Sequence, residues 1–276
     1  MNRLPDYLRG AVDLHVHSAP DVVPRRLDDI DLARECAAAG FAALLLNSDA
    51  VPTMDRAYLV SKIVPGIALH GGLVLNESVG GFNVAAVQTA LDLGARAIWM
   101  PTRSAHNHKL HHGGHGGLTV FDAHGELRHH VKDILIVLAH SKAYLATGHL
   151  SPEEGAAVIR YAYMQGVRRL VVTHPEWEPT HYSLDVQRDL ARYGAVFERC
   201  FAAATPRGGS VPVDAIANAV SEVGVASTVL ASGLGQPDAP SPVAGMTQFA
   251  AQLRAAGFSE DDLRQMMVTN PLHLLE

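Results

Sequence analysis

The chain has 276 residues, of which 48% are hydrophobic, so it can bury a substantial core as one large domain or two small ones. A net charge of −6 without a run of Lys or Arg disfavours nucleic acid and anionic membranes as partners. Its two distant cysteines indicate no disulfide framework, and no segment has the roughly 18 apolar residues of a membrane span. The first residues show no apolar signal core, so we expect a cytoplasmic protein.

Short apolar runs alternate with helical patterns along the whole chain. Several helical patterns close on a glycine, as at Gly40, and one opens with Ser151 as N-cap before Pro152. The apolar runs, each predicted to be a strand, cover residues 11–17, 41–48, 66–76, 95–102, 143–149, 169–175, 195–201 and 227–233.

Eight strands that each precede a helix predict a parallel sheet, and their number fits a (β/α)8 TIM barrel over residues 1–276 as a single domain. An open doubly wound sheet is the competing architecture, but no GxGxxG follows the first strand. Residues 102–127 form the one long irregular segment. Its histidines and glycines indicate a long flexible loop.

Histidines stand where several predicted strands end, which in a barrel enzyme is the edge that carries the site. His15 and His17 end the first strand, and alternation places them on one face with Asp13. His149 ends the fifth strand and His174 the sixth. Each is weak evidence alone, but together they predict a metal centre at the C-terminal ends of the strands.

This pattern resembles the amidohydrolase superfamily of metal-dependent barrel hydrolases. The segments "DLHVHSAPD", "MPTRSAHNH", "ATGHLS", "VVTHPEW" and "SGLGQP" look most like an uncharacterised amidohydrolase-like domain-of-unknown-function family. The resemblance implies that the metal ligands are His15, His17, His149 and His174. The expected cofactor is a divalent metal, with zinc first and manganese or iron as alternatives.

Two positions depart from the superfamily pattern. Many binuclear members carry a carboxylated lysine at the end of strand four, but this chain reads "AIWMPT" there. One ion is therefore favoured over two, unless Glu77, Glu198 or a loop histidine joins a second. The superfamily also places a metal-binding, proton-accepting aspartate after strand eight, where this chain has Gly233. Three explanations are open. The glycine is an engineered change, or the protein binds its ligand without turnover, or another carboxylate has taken the role of the missing aspartate.

Other polar residues near the strand ends are candidates for catalysis and substrate binding. Glu198, His108 and Asp21 are the catalytic candidates, although Asp21 also suits a turn. The substrate-binding candidates, for which ion pairs or turns are the competing interpretation, are Arg25, Asn76, Thr102, Arg103 and His108. His108 could equally relay protons or bind metal. Cys200 is either a core residue or a free thiol near the metal.

The sequence thus predicts a hydrolase that uses metal-activated water to cleave an amide, cyclic amide or imide, or lactone bond. The candidate arginines indicate a small anionic substrate, and a homo-oligomer is expected because such barrels often pair. Gly233 predicts impaired catalysis. A phosphoesterase or decarboxylase on the same barrel, and a non-catalytic metal- or ligand-binding protein, are the alternatives.

Overall fold

A computed structural model describes residues 4–276, and eight parallel strands form its centre. Every predicted strand is present, and neighbours in the chain are neighbours in the sheet. The strands are β1 Val12–His17, β2 Ala43–Asn47, β3 Ala68–Val74, β4 Ala97–Trp99, β5 Tyr144–Ala146, β6 Leu170–Thr173, β7 Ala195–Cys200 and β8 Thr228–Ala231.

Helices follow the strands, and most of them pack around the outside of the sheet. They are α1 Asp29–Ala39, α2 Met54–Ser61, α3 Val84–Asp92, α4 His106–His111, α5 His129–Ala139, α6 Pro152–Gln165, α7 Leu184–Ala191, α8 Val213–Val223, α9 Pro242–Ala255, α10 Glu260–Arg264 and α11 Asn270–Leu275. Helix α6 begins as predicted, because Ser151 and Glu154 form a reciprocal capping box in front of Pro152. None of the helices within residues 4–276 has both the length and the apolar character to cross a membrane.

The sheet closes on itself where the chain leaves β8. The Gly233 N–H donates to the His15 carbonyl at 2.8 Å, and the His17 N–H donates to the Leu234 carbonyl at 2.8 Å. These bonds join the last strand to the first, so the predicted (β/α)8 barrel is confirmed and no open doubly wound sheet is formed. The C-terminal ends of all eight strands therefore surround one mouth.

The first strand contains an extra residue, which the sequence pattern did not reveal. Asp13 pairs with Leu44, whereas Val16 pairs with Leu46, so three steps along β1 match two along β2. Such a bulge interrupts the alternation of faces. The expectation that Asp13 shares a face with His15 and His17 is therefore wrong. The Asp13 carboxylate instead accepts the backbone N–H groups of His15 and Ser232.

Apolar side chains fill the barrel below the mouth and the layer between strands and helices. The interior includes Leu14, Leu45, Trp99, Tyr144 and Val229, all of them buried. Two larger clusters lie between the sheet and the surrounding helices, one on each side of the barrel. Polar groups of the barrel are thereby concentrated at the mouth.

The long segment at residues 102–127 is partly structured. It contains α4, and Ala105 bridges to Leu118. The carboxylate of Glu154, at the start of α6, accepts hydrogen bonds from the Thr119 hydroxyl at 2.5 Å and the Val120 N–H at 3.0 Å. These contacts tie the later part of the segment to α6, and Asn107 of α4 donates to the carbonyls of His149 and Pro179, which holds α4 at the barrel mouth. The flexibility of the segment stays a prediction.

Candidate metal centre

The structure brings the four predicted histidine ligands into one row at the barrel mouth. The ring centroids of His17 and His15 are 5.3 Å apart, and those of His15 and His174 are 5.0 Å apart. His149, in the turn after β5, continues the row at 5.7 Å from His174. Strand ends that are up to 159 residues apart in the chain, from His15 to His174, thus present imidazoles to a common space.

His174 has an unusual backbone and an unpaired ring nitrogen. It adopts a φ of 49°, a left-handed conformation that residues other than glycine seldom take outside functional or tightly constrained sites. Its buried Nδ1 has no hydrogen-bond partner. Burial, together with the neighbouring imidazole of His15, holds the pKa of His174 well below its ordinary value. A buried nitrogen with a free lone pair is a suitable ligand for a cation.

Two further imidazoles in the row are also held neutral. Burial and the Arg25 guanidinium lower the pKa of His17 to about 3. Burial and the adjacent His108 lower the pKa of His149 to about 3. Neutral imidazole is the form that binds a divalent cation, so these side chains need no deprotonation to become ligands.

His15 differs because a carboxylate stands behind it. Its Nδ1 lies 2.9 Å from Oε2 of Glu198, and both side chains are buried. Burial opposes protonation of His15, but the charge and hydrogen bond of Glu198 leave its pKa raised overall. A proton on Nδ1 directs the lone pair of Nε2 away from Glu198. Glu198 itself does not line the cavity at the mouth.

Asp21 and Arg25 form a buried ion pair beside His17. Arg25 Nη2 is 2.8 Å from Asp21 Oδ2, and their side chains are only 3% and 1% exposed. The same Nη2 lies 3.4 Å from Nδ1 of His17. Neither side chain lines the cavity, so the catalytic role of Asp21 and the substrate contact of Arg25 stay predictions.

A network at the ends of β2, β3 and β4 holds Asp49, which was not among the residues predicted from the sequence. Thr102 donates to Oδ1 of Asp49 at 2.7 Å, and Arg103 donates to Oδ2 at 2.8 Å. Asn76 fixes Thr102 from behind through bonds at 2.7 and 2.9 Å. Burial alone would raise the pKa of Asp49, but His17 and these donors keep it below its usual range.

Helix α4 delivers His108 to the row of imidazoles. Its Nδ1 is 2.9 Å from Nδ1 of His149, and the two rings stack at 4.8 Å. Burial and the nearby His112 lower the pKa of His108 to about 4. Trp177 closes this side, with its ring 4.9 Å from His149. His108 therefore lies against one of the predicted metal ligands and lines the cavity, and its chemical role stays a prediction.

The mouth encloses a cavity of 360 Å³. Among the described residues that line it, Asp49 is the only carboxylate, and Arg103 and Arg207 are the only Lys or Arg side chains. The other lining residues are His15, His17, Thr102, His108, His112, His149, His174, Trp177, Ala202, Ala203, Thr205, Gly208, Gly233 and Gln236. A volume of this size accommodates a small organic molecule.

The donor set fits a divalent transition metal. Nitrogen ligands on rigid strand ends suit zinc, and the unpaired Nδ1 of His174 marks a buried position that lacks its partner. Within residues 4–276, one group of at least three His, Cys, Asp or Glu side chains has all its ligand atoms within 4.8 Å of one another. It consists of His15, His174 and Cys200.

The profile of a family of unknown function, DUF6282, matches residues 10–198. No curated protein matches the chain. Three solved structures, each with a TM-score of 0.63, share its fold. An amidohydrolase from Pseudomonas aeruginosa is 13% identical over 99% of this chain and 98% of that chain. An organophosphorus hydrolase from Deinococcus radiodurans is 15% identical over 97% of this chain and 93% of that chain. A candidate 2-pyrone-4,6-dicarboxylic acid hydrolase from Pseudomonas putida is 16% identical, over 97% of both chains.

Proposed function

Because this chain belongs to DUF6282, a family of unknown function, we propose its activity from its own site: it is a metal-dependent hydrolase of a small anionic molecule. The bond that it cleaves is an amide, a cyclic amide or imide, or a lactone. The observation that carries this proposal is the row of imidazoles at the barrel mouth, three of which have a pKa lowered by desolvation and are held neutral.

His15 and His174, whose ligand atoms lie closest together, would hold the ion, and His17 and His149 at the two ends of the row are the further candidate ligands. Zinc is the ion that a site of this donor type favours. When bound, such an ion lowers the pKa of a water molecule toward 7 and polarises the substrate carbonyl. The chain has no lysine at the end of β4 to form a bridging carbamate, which favours one ion over two. Glu198 orients His15 and thereby fixes which nitrogen is offered.

The cavity supplies positive charge for an anionic group of the substrate. Arg103 is anchored through Nε on Asp49, so the rest of its guanidinium remains available to a carboxylate. Arg207, paired with Asp238 at 3.2 Å, stands elsewhere on the lining. The similarity in fold to a candidate hydrolase of a dicarboxylated lactone agrees with this substrate class.

His108 is the candidate that the geometry favours for proton transfer. It lines the cavity and lies against His149, and its pKa of about 4 leaves the ring unprotonated at neutral pH. Glu198 stands behind His15 instead, and Asp21 pairs with Arg25, which lies beside His17. We therefore assign His108 the transfer of the proton to the leaving group and Glu198 the positioning of His15.

Gly233 favours one other function, a metal-dependent binding protein without turnover. The residues directly after β8, Ser232, Gly233 and Leu234, carry no carboxylate. A substitution at Gly233 is hindered, because φ is 62° and an added Cβ would stand 2.9 Å from Cβ of Cys200. Restoring an aspartate at this position therefore strains the backbone and collides with a neighbour. A gain-of-function test at Gly233 is for this reason a poor way to separate the two functions.

The proposal is tested with zinc-loaded protein and matched pairs of substrates. Lactones and cyclic imides that carry a carboxylate are compared with their uncharged counterparts, and hydrolysis is followed by product formation. We expect turnover of the carboxylated compounds, and its loss in His108→Ala. Binding of these compounds without turnover by the metal-loaded wild type would support the binding function.

A further inference from the structure

Cys200 closes β7 on the side of the barrel that faces the imidazoles. It lies two residues after Glu198, so both side chains point to the same side of the strand, with Cys200 nearer the mouth. Its side chain is buried, with 1% of the residue exposed. The other cysteine, Cys36, is buried among α1 and its neighbours in the outer core.

The thiol of Cys200 belongs to the tightest group of potential ligands at the mouth. Ligand atoms of Cys200, His15 and His174 all lie within 4.8 Å of one another. Ligands of one tetrahedral zinc stand about 3.5 Å apart, so side-chain movements of about 1 Å would complete a shared site. The unpaired Nδ1 of His174 is an independent sign that a partner belongs here.

Gly233 and Cys200 occupy adjoining space, which explains the missing aspartate. A Cβ on Gly233 would lie 2.9 Å from Cβ and 3.3 Å from Sγ of Cys200, and 3.0 Å from Cβ of Ala202. A side chain at position 233 and the thiol of Cys200 would therefore compete for the same room. With glycine at 233, the sulfur has access to the region that a carboxylate after β8 would otherwise occupy.

We propose that Cys200 binds the metal as a thiolate, together with His15 and His174, and supplies the anionic ligand that Gly233 cannot. This inference rests on the proposed metal-dependent function. On binding, the S–H bond breaks, the sulfur electron pair forms the bond to the metal, and the proton leaves to solvent. A thiolate ligand favours zinc over harder ions such as manganese and magnesium.

Cobalt(II) provides the direct test, because a cobalt–thiolate bond has a near-ultraviolet charge-transfer absorption that imidazole ligands lack. Wild type, Cys200→Ala and Cys36→Ala are loaded with Co²⁺, and cobalt content and absorption are measured on the same samples. We expect the band in wild type and in Cys36→Ala, and its loss in Cys200→Ala. A cobalt-loaded wild type without the band, or a band that persists in Cys200→Ala, overturns the proposal.

A second measurement avoids any dependence on the folding of Cys200→Ala. X-ray absorption of zinc-loaded wild type and Cys36→Ala reports directly whether sulfur stands among the ligands. We expect one sulfur neighbour in both. A shell of nitrogen and oxygen alone refutes the thiolate ligand but leaves a histidine-bound metal, and thus the proposed function, intact. Failure of wild type to bind any metal contradicts both.

Discussion

Glu198 and His15 form a buried pair in which the carboxylate lies 2.9 Å behind the imidazole. The pair joins the ends of β7 and β1, and it fixes the ring of His15 at the centre of the imidazole row. Oε1 of Glu198 is buried without a hydrogen-bond partner, so the carboxylate is devoted to His15. This arrangement is the one by which proteins orient a metal-binding histidine.

Replacing Glu198 with Gln should weaken metal binding. The amide lacks the negative charge that favours a proton on Nδ1 of His15, and loss of such a partner typically costs about 10- to 100-fold in metal affinity. Competition with a chromogenic chelator measures the affinity. Glu153→Gln, at an exposed position on α6, is the matched control and should leave it unchanged. An unaltered affinity in Glu198→Gln would remove Glu198 from the centre.

The metal-free protein should lose stability as the pH falls from about 6.5 toward 4. The pKa of both His17 and His149 is about 3 in the folded protein, below the unfolded value of about 6.5. Between these pH values the two histidines bind protons in the unfolded chain but not in the folded protein. The free energy of unfolding therefore falls by about 1.4 kcal/mol per pH unit for each histidine. Asp13, whose pKa burial raises to about 6, offsets part of this loss.

Urea unfolding at several pH values checks this dependence. His149→Gln should flatten it, because one of the responsible imidazoles is gone. His129→Ala/His130→Ala removes two exposed histidines on α5 and should leave the slope as in wild type. A free energy of unfolding that stays constant or increases as the pH is lowered from 6.5 to 4 would show that the imidazoles of the row are not held neutral.

Gly233→Ala should destabilise the fold more than Gly94→Ala. Both glycines have a positive φ, 62° and 86°, so both substitutions strain the backbone. An added Cβ meets Cys200 and Ala202 at position 233 but nothing within 4 Å at position 94. Overpacking of this kind costs about 1–3 kcal/mol beyond the backbone strain. Equal free energies of unfolding for the two variants would contradict the crowding described at the end of β8.

Arg103→Ala should reduce the preference for anionic substrates or ligands. Its guanidinium lines the cavity and is held by Asp49, so its removal takes away positive charge without replacing a metal ligand. We expect weaker binding or a higher KM for carboxylated compounds, with little change for uncharged ones. Arg34→Ala, on the exposed face of α1, is the control. The same loss for both compound classes would indicate a structural role.

The barrel and the four histidines could be predicted because topology alone brings strand ends together. Once eight parallel strands close into a barrel, the ends of β5 and β6 lie at its mouth, so His149 and His174 can be placed there without knowing any distance. The arrangement behind them could not be read in this way. The bulge in β1 that displaces Asp13 leaves no mark in the apolar pattern. The importance of Asp49 depends on Thr102 and Arg103, which are more than fifty residues away in the chain.

The position of a side chain along the barrel axis also could not be predicted from the sequence. Glu198 and Cys200 both end β7, but Glu198 stands behind His15, whereas Cys200 lies close to the ligand atoms of His15 and His174. The alternation of side chains along a strand gives the face on which each residue lies. It does not give the position of that residue along the barrel axis relative to side chains on the neighbouring strands. The ion pair of Asp21 with Arg25 beside His17 also leaves no sign in the sequence, because both residues lie in the loop after β1.

The metal content of His15→Ala/His17→Ala tests the central claim most directly. Purified wild type, this variant and the control His129→Ala/His130→Ala are incubated with zinc, separated from free ion, and measured by elemental analysis alongside a folding check by circular dichroism. We predict about one zinc per chain in wild type and control, and essentially none in the folded His15→Ala/His17→Ala variant. Undiminished zinc in that variant would contradict a metal centre at the barrel mouth.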